Sequence, residues 1–330
     1  MGGDEHSIVL FDPDLSMGHT ILRLAGQHLA EGTVQASFSS AGEVVFFTEA
    51  QQTGGHVGMV RRYDGVLLGH WKAPNQLVPQ NLALLDDSRT LLVTLRPING
   101  RTESGALSFL STHALTEAGR LEVCKRSPDG IAVMQGGHRA YVRCVGAEES
   151  VVEIDLELRR IVKTVAIGTY DSTDSTVSSS QCGSGGIALS RTGGILLLPC
   201  DQSGQLLYLD RLTLELLDSV SVGSSIFDIA ISPRRSVAAL TAPRDSVLVL
   251  LDLAARSVVG RTPLPGFPTA MSVDGSGRSL FIALQNGGAT GVLIRLDMTT
   301  GKVVASAPIP NGVSAVTVWP GRWSPVFTWR

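Results

Sequence analysis

A short pattern, apolar–small–apolar followed by a polar turn and an apolar strand, recurs along most of this chain. It is clearest in Ile229-Ala230-Ile231-Ser232, Ile187-Ala188-Leu189-Ser190 and Ile131-Ala132-Val133-Met134. Weaker copies start at Ala36, Leu82, Met271 and Val316, and the intervals between the seven starts are 46, 49, 56, 42, 42 and 45 residues. A repeat of this length is the period of one four-stranded propeller blade. The spacing therefore predicts an all-β, seven-bladed β-propeller in a single domain.

A second marker keeps the same register. A strand ending in aspartate occurs at Asp12, Asp64, Asp155, Asp210, Asp252 and Asp297, with Ser111 in its place in the second repeat. Aspartate suits a turn start because its side chain accepts bonds from backbone amides two residues on. The chain begins with a third-and-fourth strand pair (7–12, 19–24) and ends with a first-and-second pair (314–319, 324–329). From Asp297 to the C-terminus is 33 residues and 12 more reach Asp12, a total of 45, equal to the Asp252–Asp297 interval. The blades are expected at about 32–75, 80–127, 128–170, 185–224, 225–266, 267–311, and 312–330 joined to 7–26. Closure by the two ends removes a sheet edge; deleting residues 1–26 is expected to destroy cooperative folding. A β-sandwich or several small β domains is the competing architecture. Leu110–Leu121 reads as helical by itself, but the repeat places it in a third-to-fourth-strand connection.

Thirty-six glycines against 5% aromatic residues suit many tight turns, and the net charge of −3 gives no field for nucleic acid or anionic membrane. No apolar run has the roughly 18 residues needed to span a bilayer. The start, Met1 to His6, has no signal-peptide character. The expectation is a cytoplasmic protein, or a secreted or periplasmic one with its leader removed.

The repeat residues resemble the YVTN-type propeller repeats of surface-layer-like proteins. The best match is Asp274-Gly275-Ser276-Gly277-Arg278, Phe281-Ile282-Ala283, Leu293-Ile294-Arg295-Leu296-Asp297 and Thr300-Gly301-Lys302-Val303, with Ser232-Pro233-Arg234-Arg235 matching the first turn. Tyr141-Val142-Arg143-Cys144 departs from the namesake tetrapeptide. The resemblance implies a fold and leaves the activity open, because similar propellers include dehydrogenase subunits, lactonases, lyases and binding scaffolds.

The first-to-second-strand turns are short throughout. The long connections fall mostly on the opposite, top face: 50–56, 96–105, 168–185 and 285–291, with 111–120 as the exception. Long loops on one rim of a rigid scaffold mark a working face, although surface loops also lengthen at little cost. The longest, 168–185, carries Tyr170, Asp171, Asp174 and Cys182 as a possible lid, or is a disordered excursion. Asn81, Asp129 and Asp228 lie at the starts of inner strands; Glu49, Arg96, Arg143 and Arg244 lie near the ends of second strands; His28 enters the first complete blade. Asp228, Glu49 and His28 are the candidates for acid–base chemistry, and Asn81, Arg96, Asp129, Arg143 and Arg244 for ligand binding, the arginines for an anion. Each is alternatively a solvated or turn-capping residue. Alanine at Asp228 or Arg143 is expected to abolish function with little loss of stability.

Metal, haem, phosphate-loop and Gly-x-Ser-x-Gly motifs are absent, so no cofactor or metal is expected. Gly183-Ser184-Gly185-Gly186 reads as a flexible connection. Trp319, Trp323 and Trp329 read as a bulky core of the closing blade or a partner surface. Cys144 and Cys200 both lie 13 residues after their motif starts, on neighbouring sheets on the order of 10 Å apart, beyond disulfide reach. If a bridge forms, it joins Cys182 to Cys200 or Cys144, with Cys124 unbridged; otherwise all four are thiols. Three functions fit: a top-face propeller binding a small molecule, peptide or protein; a lyase, hydrolase or isomerase working in the top channel; or a structural subunit of a redox complex.

Overall fold

The computed structural model describes residues 6–11, 14–15, 18–24, 35–51, 54–74, 76–98, 104–146, 148–169, 182–183, 185–288, 290–310, 313–318 and 325–329. The chain opens with β1 (His6–Phe11) and β2 (Gly18–Leu24). Six four-stranded antiparallel blades follow, each from one continuous stretch. The first is β3 (Ala36–Phe38), β4 (Val44–Gln51), β5 (Gly54–Arg61) and β6 (Leu67–Lys72). The second is β7 (Leu77–Leu84), β8 (Thr90–Pro97), β9 (Gly105–Ser111) and β10 (Glu117–Cys124). The third is β11 (Ser127–Val133), β12 (Arg139–Val145), β13 (Glu148–Asp155) and β14 (Arg160–Thr169). The fourth is β15 (Ala188–Leu189), β16 (Ile195–Pro199), β17 (Gln205–Asp210) and β18 (Leu216–Ser221). The fifth is β19 (Asp228–Ile231), β20 (Val237–Ala242), β21 (Val247–Asp252) and β22 (Ser257–Pro263). The sixth is β23 (Phe267–Val273), β24 (Ser279–Gln285), β25 (Thr290–Asp297) and β26 (Val303–Pro310). The last two strands, β27 (Val313–Val318) and β28 (Pro325–Trp329), pair with the first two in the order β2-β1-β28-β27. β27 packs on β23 and β24 on one side and on β3 on the other.

The repeating strands bury their apolar faces between blades. Leu92, Leu107 and Phe109 of the second blade pack with Val142, Val152 and Ile154 of the third. Leu197, Leu206 and Tyr208 of the fourth pack with Leu240, Val249 and Leu251 of the fifth. The second and third strands of these six blades are largely apolar on both faces because each blade is covered on both sides. The outermost strands β6, β18 and β22 alternate exposed and half-buried residues, as solvent-facing edges do.

The marker aspartates of the third to sixth blades start turns, whereas Asp64 lies inside its turn beyond the end of β5 at Arg61 and Asp12 lies outside the described residues. Asp210 Oδ1 accepts from the amides of Leu212 and Thr213, Asp252 Oδ1 from Ala254 and Ala255, and Asp297 Oδ1 from Thr299 and Thr300. Ser111 substitutes with a longer bond from His113 N. Leu110–Leu121 is strand, turn and strand; β10 starts at Glu117, so the connection taken as long over 111–120 is a tight turn. Likewise 50–56 is largely strand, because β4 runs to Gln51 and β5 begins at Gly54.

All four cysteines are bridged, Cys124–Cys144 and Cys182–Cys200. The second bridge is one of the pairings expected; the first overturns the expectation that Cys124 stays unbridged. Only Lys125 and Arg126 separate β10 from β11, so the crossing chain carries Cys124 directly over β12, with its Cα 5.5 Å from that of Cys144. Matched positions on neighbouring blades, Cys144 and Cys200, do not pair. The side chains of Trp319, Trp323 and Trp329 lie outside the described residues.

Candidate functional site

The position just before the motif start lines one cavity in six of the seven repeats, Gly130 of the third being the exception. Strand pairing puts Gln35, Asn81, Gly130, Asp228, Ala270 and Ala315 in equivalent places, because Ala36 pairs with Phe47, Leu82 with Val93, Ile131 with Val142, Ile229 with Leu240, Met271 with Ile282 and Val316 with Phe327; extending the Ala188–Leu197 register by two residues puts Gly186 in the same place. Around the axis at the top is a cavity of about 290 Å³, lined by six of the sheets and by Gly185 and Gly186, which precede β15. β-bulges between Pro79 and Leu82, Pro128 and Gly130, and Pro268 and Ala270 supply extra residues, so that Gln80, Asp129 and Thr269 also line it. Re-aiming side chains is a common effect of such bulges.

Buried threonines hold several of these residues in place. Thr48, Thr94 and Thr241 accept from the backbone amides of Gln35, Asn81 and Asp228 at 2.8, 2.9 and 3.2 Å. The same ring of side chains stitches neighbouring blades. Gln35 Oε1 accepts from Leu82 N at 2.7 Å, and the Thr269 hydroxyl donates to Val313 O at 2.6 Å.

Two carboxylates face the cavity. Asp228 is walled by protein yet open to the channel. Burial pushes its carboxyl up to about 6, against the bonds it accepts from the amides of Ile229 and Met271. Asp129 is also raised by burial, partly offset by the Gly185 amide at 2.7 Å and by the Arg143 charge. Gly186 stands beside Asp228, so the two carboxylates flank the Gly185–Gly186 segment.

Arg143 occupies in the third blade the register held elsewhere by threonine. It is fully buried. One terminal nitrogen donates to Pro199 O at 2.6 Å and to Gly186 O at 3.2 Å; the other donates to Gly183 O at 2.6 Å and to Cys182 Sγ at 3.0 Å. Glu149 accepts from Gly183 N at 2.8 Å, and its pKa is raised, burial being the main cause. Asp129, Glu149 and Asp201 all act electrostatically on this guanidinium. Gly183, Gly185 and Gly186 are therefore each held by hydrogen bonds, contrary to the reading of this stretch as flexible. Gly183 has a φ of +73°, and a Cβ there would collide with the Asp201 carboxylate. A Cβ at Gly185 would lie 2.6 Å from Pro199 O.

The structure thus brings Asn81, Asp129 and Asp228 together in the cavity wall. Arg143 sits behind that wall and faces backbone carbonyls, so the expectation that its loss would spare stability is corrected: its removal strips a buried cluster of its cation. Glu49, Arg96 and Arg244 lie at or just beyond the ends of second strands and do not line the cavity. Cys182 is a bridged anchor, buried at 2% exposure. His28, Tyr170, Asp171 and Asp174 lie outside the described residues. Sequence reasoning missed Gln35, Gln80 and Thr269, although Gln35 stands one place before a motif start, where Asn81 and Asp228 were found. Among the described residues no group of His, Cys, Asp and Glu is arranged to hold a metal, and no helix is long and apolar enough to cross a membrane.

No family model matches the sequence, and no curated protein matches it. Solved structures do. A chain of hydrazine synthase from Kuenenia stuttgartiensis superposes with a TM-score of 0.69 at 19% identity, covering 90% of this chain and 93% of that one. The β-propeller domain of Cps50 (Swd1) from Myceliophteria thermophila also gives 0.69, at 12% identity, covering 92% and 98%. Likeness at these identities shows the fold alone. By fold, the chain is an all-β propeller with four-stranded blades.

Proposed function

We propose that this propeller is a binding module whose top channel takes a small, hydrogen-bond-donating ligand, neutral or cationic. The carrying observation is the cavity wall: Gln35, Gln80, Asn81, Asp129, Asp228 and Thr269 face it, while no arginine or lysine does among the described residues. That lining argues against the anionic ligand suggested by Arg96, Arg143 and Arg244. A volume of about 290 Å³ lies at the small end of ligand pockets. Three two-carbon probes test the reading: ethanolamine, ethylene glycol and glycolate, titrated against the labelled protein by NMR. Ethanolamine is expected to bind best and glycolate worst, with shifts at Asn81, Asp129 and Asp228. Preference for glycolate, or shifts confined to the opposite-face turns at Arg234 and Arg278, would overturn it.

An acid–base enzyme is the second reading, favoured by Asp228, whose pKa of about 6 lets it give and take a proton near neutrality. Turnover with a break near pH 6 that Asp228→Asn abolishes would select it. The redox-subunit reading gains no observation of its own.

We further infer that the sheet joining both ends is the seventh blade, closing the ring, and that the repeats are of YVTN type, on the residues of the sixth blade. Deleting residues 1–26 is expected to abolish cooperative unfolding; a truncated chain that melts like the whole would refute the closure. Two bridges consuming all four cysteines favour an oxidising compartment over the cytoplasm. Mass mapping of the unreduced protein from its native source tests this.

A further inference from the structure

We propose that the Cys182–Cys200 disulfide is a redox control on the channel site: closed, it fixes the channel wall for ligand capture, and opened by a dithiol, it releases that wall. This rests on the channel being the binding site. Cys182 is followed at once by Gly183, whose amide is held by Glu149 and whose carbonyl is held by Arg143. Two residues on, the Gly185 amide binds the cavity carboxylate Asp129. Cys200 follows Pro199, whose carbonyl takes the shortest bond Arg143 makes on that side. The bridge, the guanidinium and the channel carboxylate are one continuous unit.

Opening the bridge forces that unit to move. Two sulfurs in van der Waals contact need roughly 3.5–4 Å, about twice their bonded separation. Both cysteines are buried, at 2% and 1% exposure. Around them Gly183 lies against Asp201 and Gly185 against Pro199, too tightly even for a Cβ. The contacts with Asp201 and Pro199 block the extra separation on that side, so the segment answers by shifting toward the channel that Gly185 lines. The segment that shifts carries the Gly185–Asp129 bond. The step is a thiol–disulfide exchange: two thiols of the dithiol lose two electrons and two protons and close to a disulfide, and Cys182 and Cys200 each gain a hydrogen. Cys124–Cys144 bridges the second and third blades through Cys144, the neighbour of Arg143 on β12 whose side chain takes the opposite face of the strand, and serves as the internal control.

The test uses the whole chain. Hydrogen exchange at the Gly183 and Gly185 amides is followed by NMR in the oxidised protein, in Cys182→Ser/Cys200→Ser and in Cys124→Ser/Cys144→Ser. Should the first variant fail to fold, wild-type protein opened with dithiothreitol, its open bridge identified by mass mapping, reads the same amides. Opening Cys182–Cys200 is expected to speed exchange at both glycines at least tenfold and to weaken ethanolamine binding several-fold. Exchange that stays within twofold, or that accelerates equally when only Cys124–Cys144 is open, overturns the proposal. Faster exchange with ethanolamine bound by neither form supports the coupling and counts against the binding reading alone.

Discussion

The wall of the channel is built in two ways. In the first, second and fifth blades a side chain points inward (Gln35, Asn81, Asp228), and a buried threonine beneath it accepts its backbone amide. In the third and fourth blades the equivalent positions are Gly130 and Gly186; Arg143 replaces the threonine, and Pro199 stands at the matching place in the fourth. One arc presents side chains to the cavity from these positions. The other presents backbone, held from behind by a guanidinium and a disulfide, with Asp129 of the neighbouring bulge as the side chain it adds. A single fold register thus supports both a chemical surface and a clamp, and the deciding residue is the one in the second strand. Threonine satisfies one amide, whereas arginine reaches across to three carbonyls and a sulfur.

The largest break in this contrast is Arg143→Thr, which gives the third blade its neighbours' residue. It leaves Asp129, Glu149 and Asp201 without their cation, a loss on the order of 3–5 kcal/mol. Urea unfolding measures it, and a cost below about 1 kcal/mol would mean the two arcs are equivalent.

Next is Asp228. Its carboxyl stands at about 6 in the folded protein against an ordinary 3.8. The folded state therefore holds the proton more tightly, and stability falls as pH rises from about 4 to about 6, then levels. Two pKa units at about 1.4 kcal/mol each bound the effect at roughly 3 kcal/mol. Asp228→Asn should flatten that window in unfolding curves taken across pH; an unchanged slope would show that the charge is not the cause. The smallest effect is Thr94→Val, which leaves the Asn81 amide without its acceptor for about 1 kcal/mol. It is expected to leave the Gly183 and Gly185 amides undisturbed, because they belong to the other arc.

How much of this was legible follows from distance along the chain. The repeat was readable because each strand start recurs locally, and the residue before it led to Asn81 and Asp228. Gln35 is equally placed, but it precedes one of the weaker motif copies, at Ala36, where the register is less distinct. Glu49, Arg96 and Arg244 were assigned to the correct strand ends. Those ends belong to second strands, about 4.8 Å farther from the axis than the inner ones, and only the inner strands reach the cavity. Arg143 was found by type and misread in role, because its partners Glu149, Gly183 and Pro199 come from other strands and loops. Cys124–Cys144 is not legible from like positions on neighbouring blades, because it joins the end of β10, where the chain crosses to the next blade, to β12.

The central claim is that Asp228 receives a donor-bearing ligand in the top channel. The most direct test is the affinity of ethanolamine as a function of pH, in the native chain and in Asp228→Asn. Ionisation of a carboxyl near 6 predicts that binding strengthens roughly tenfold between pH 5 and pH 7, and that the variant binds weakly and without pH dependence. A native affinity that is flat across this range, or a variant that keeps the native profile, would contradict the account.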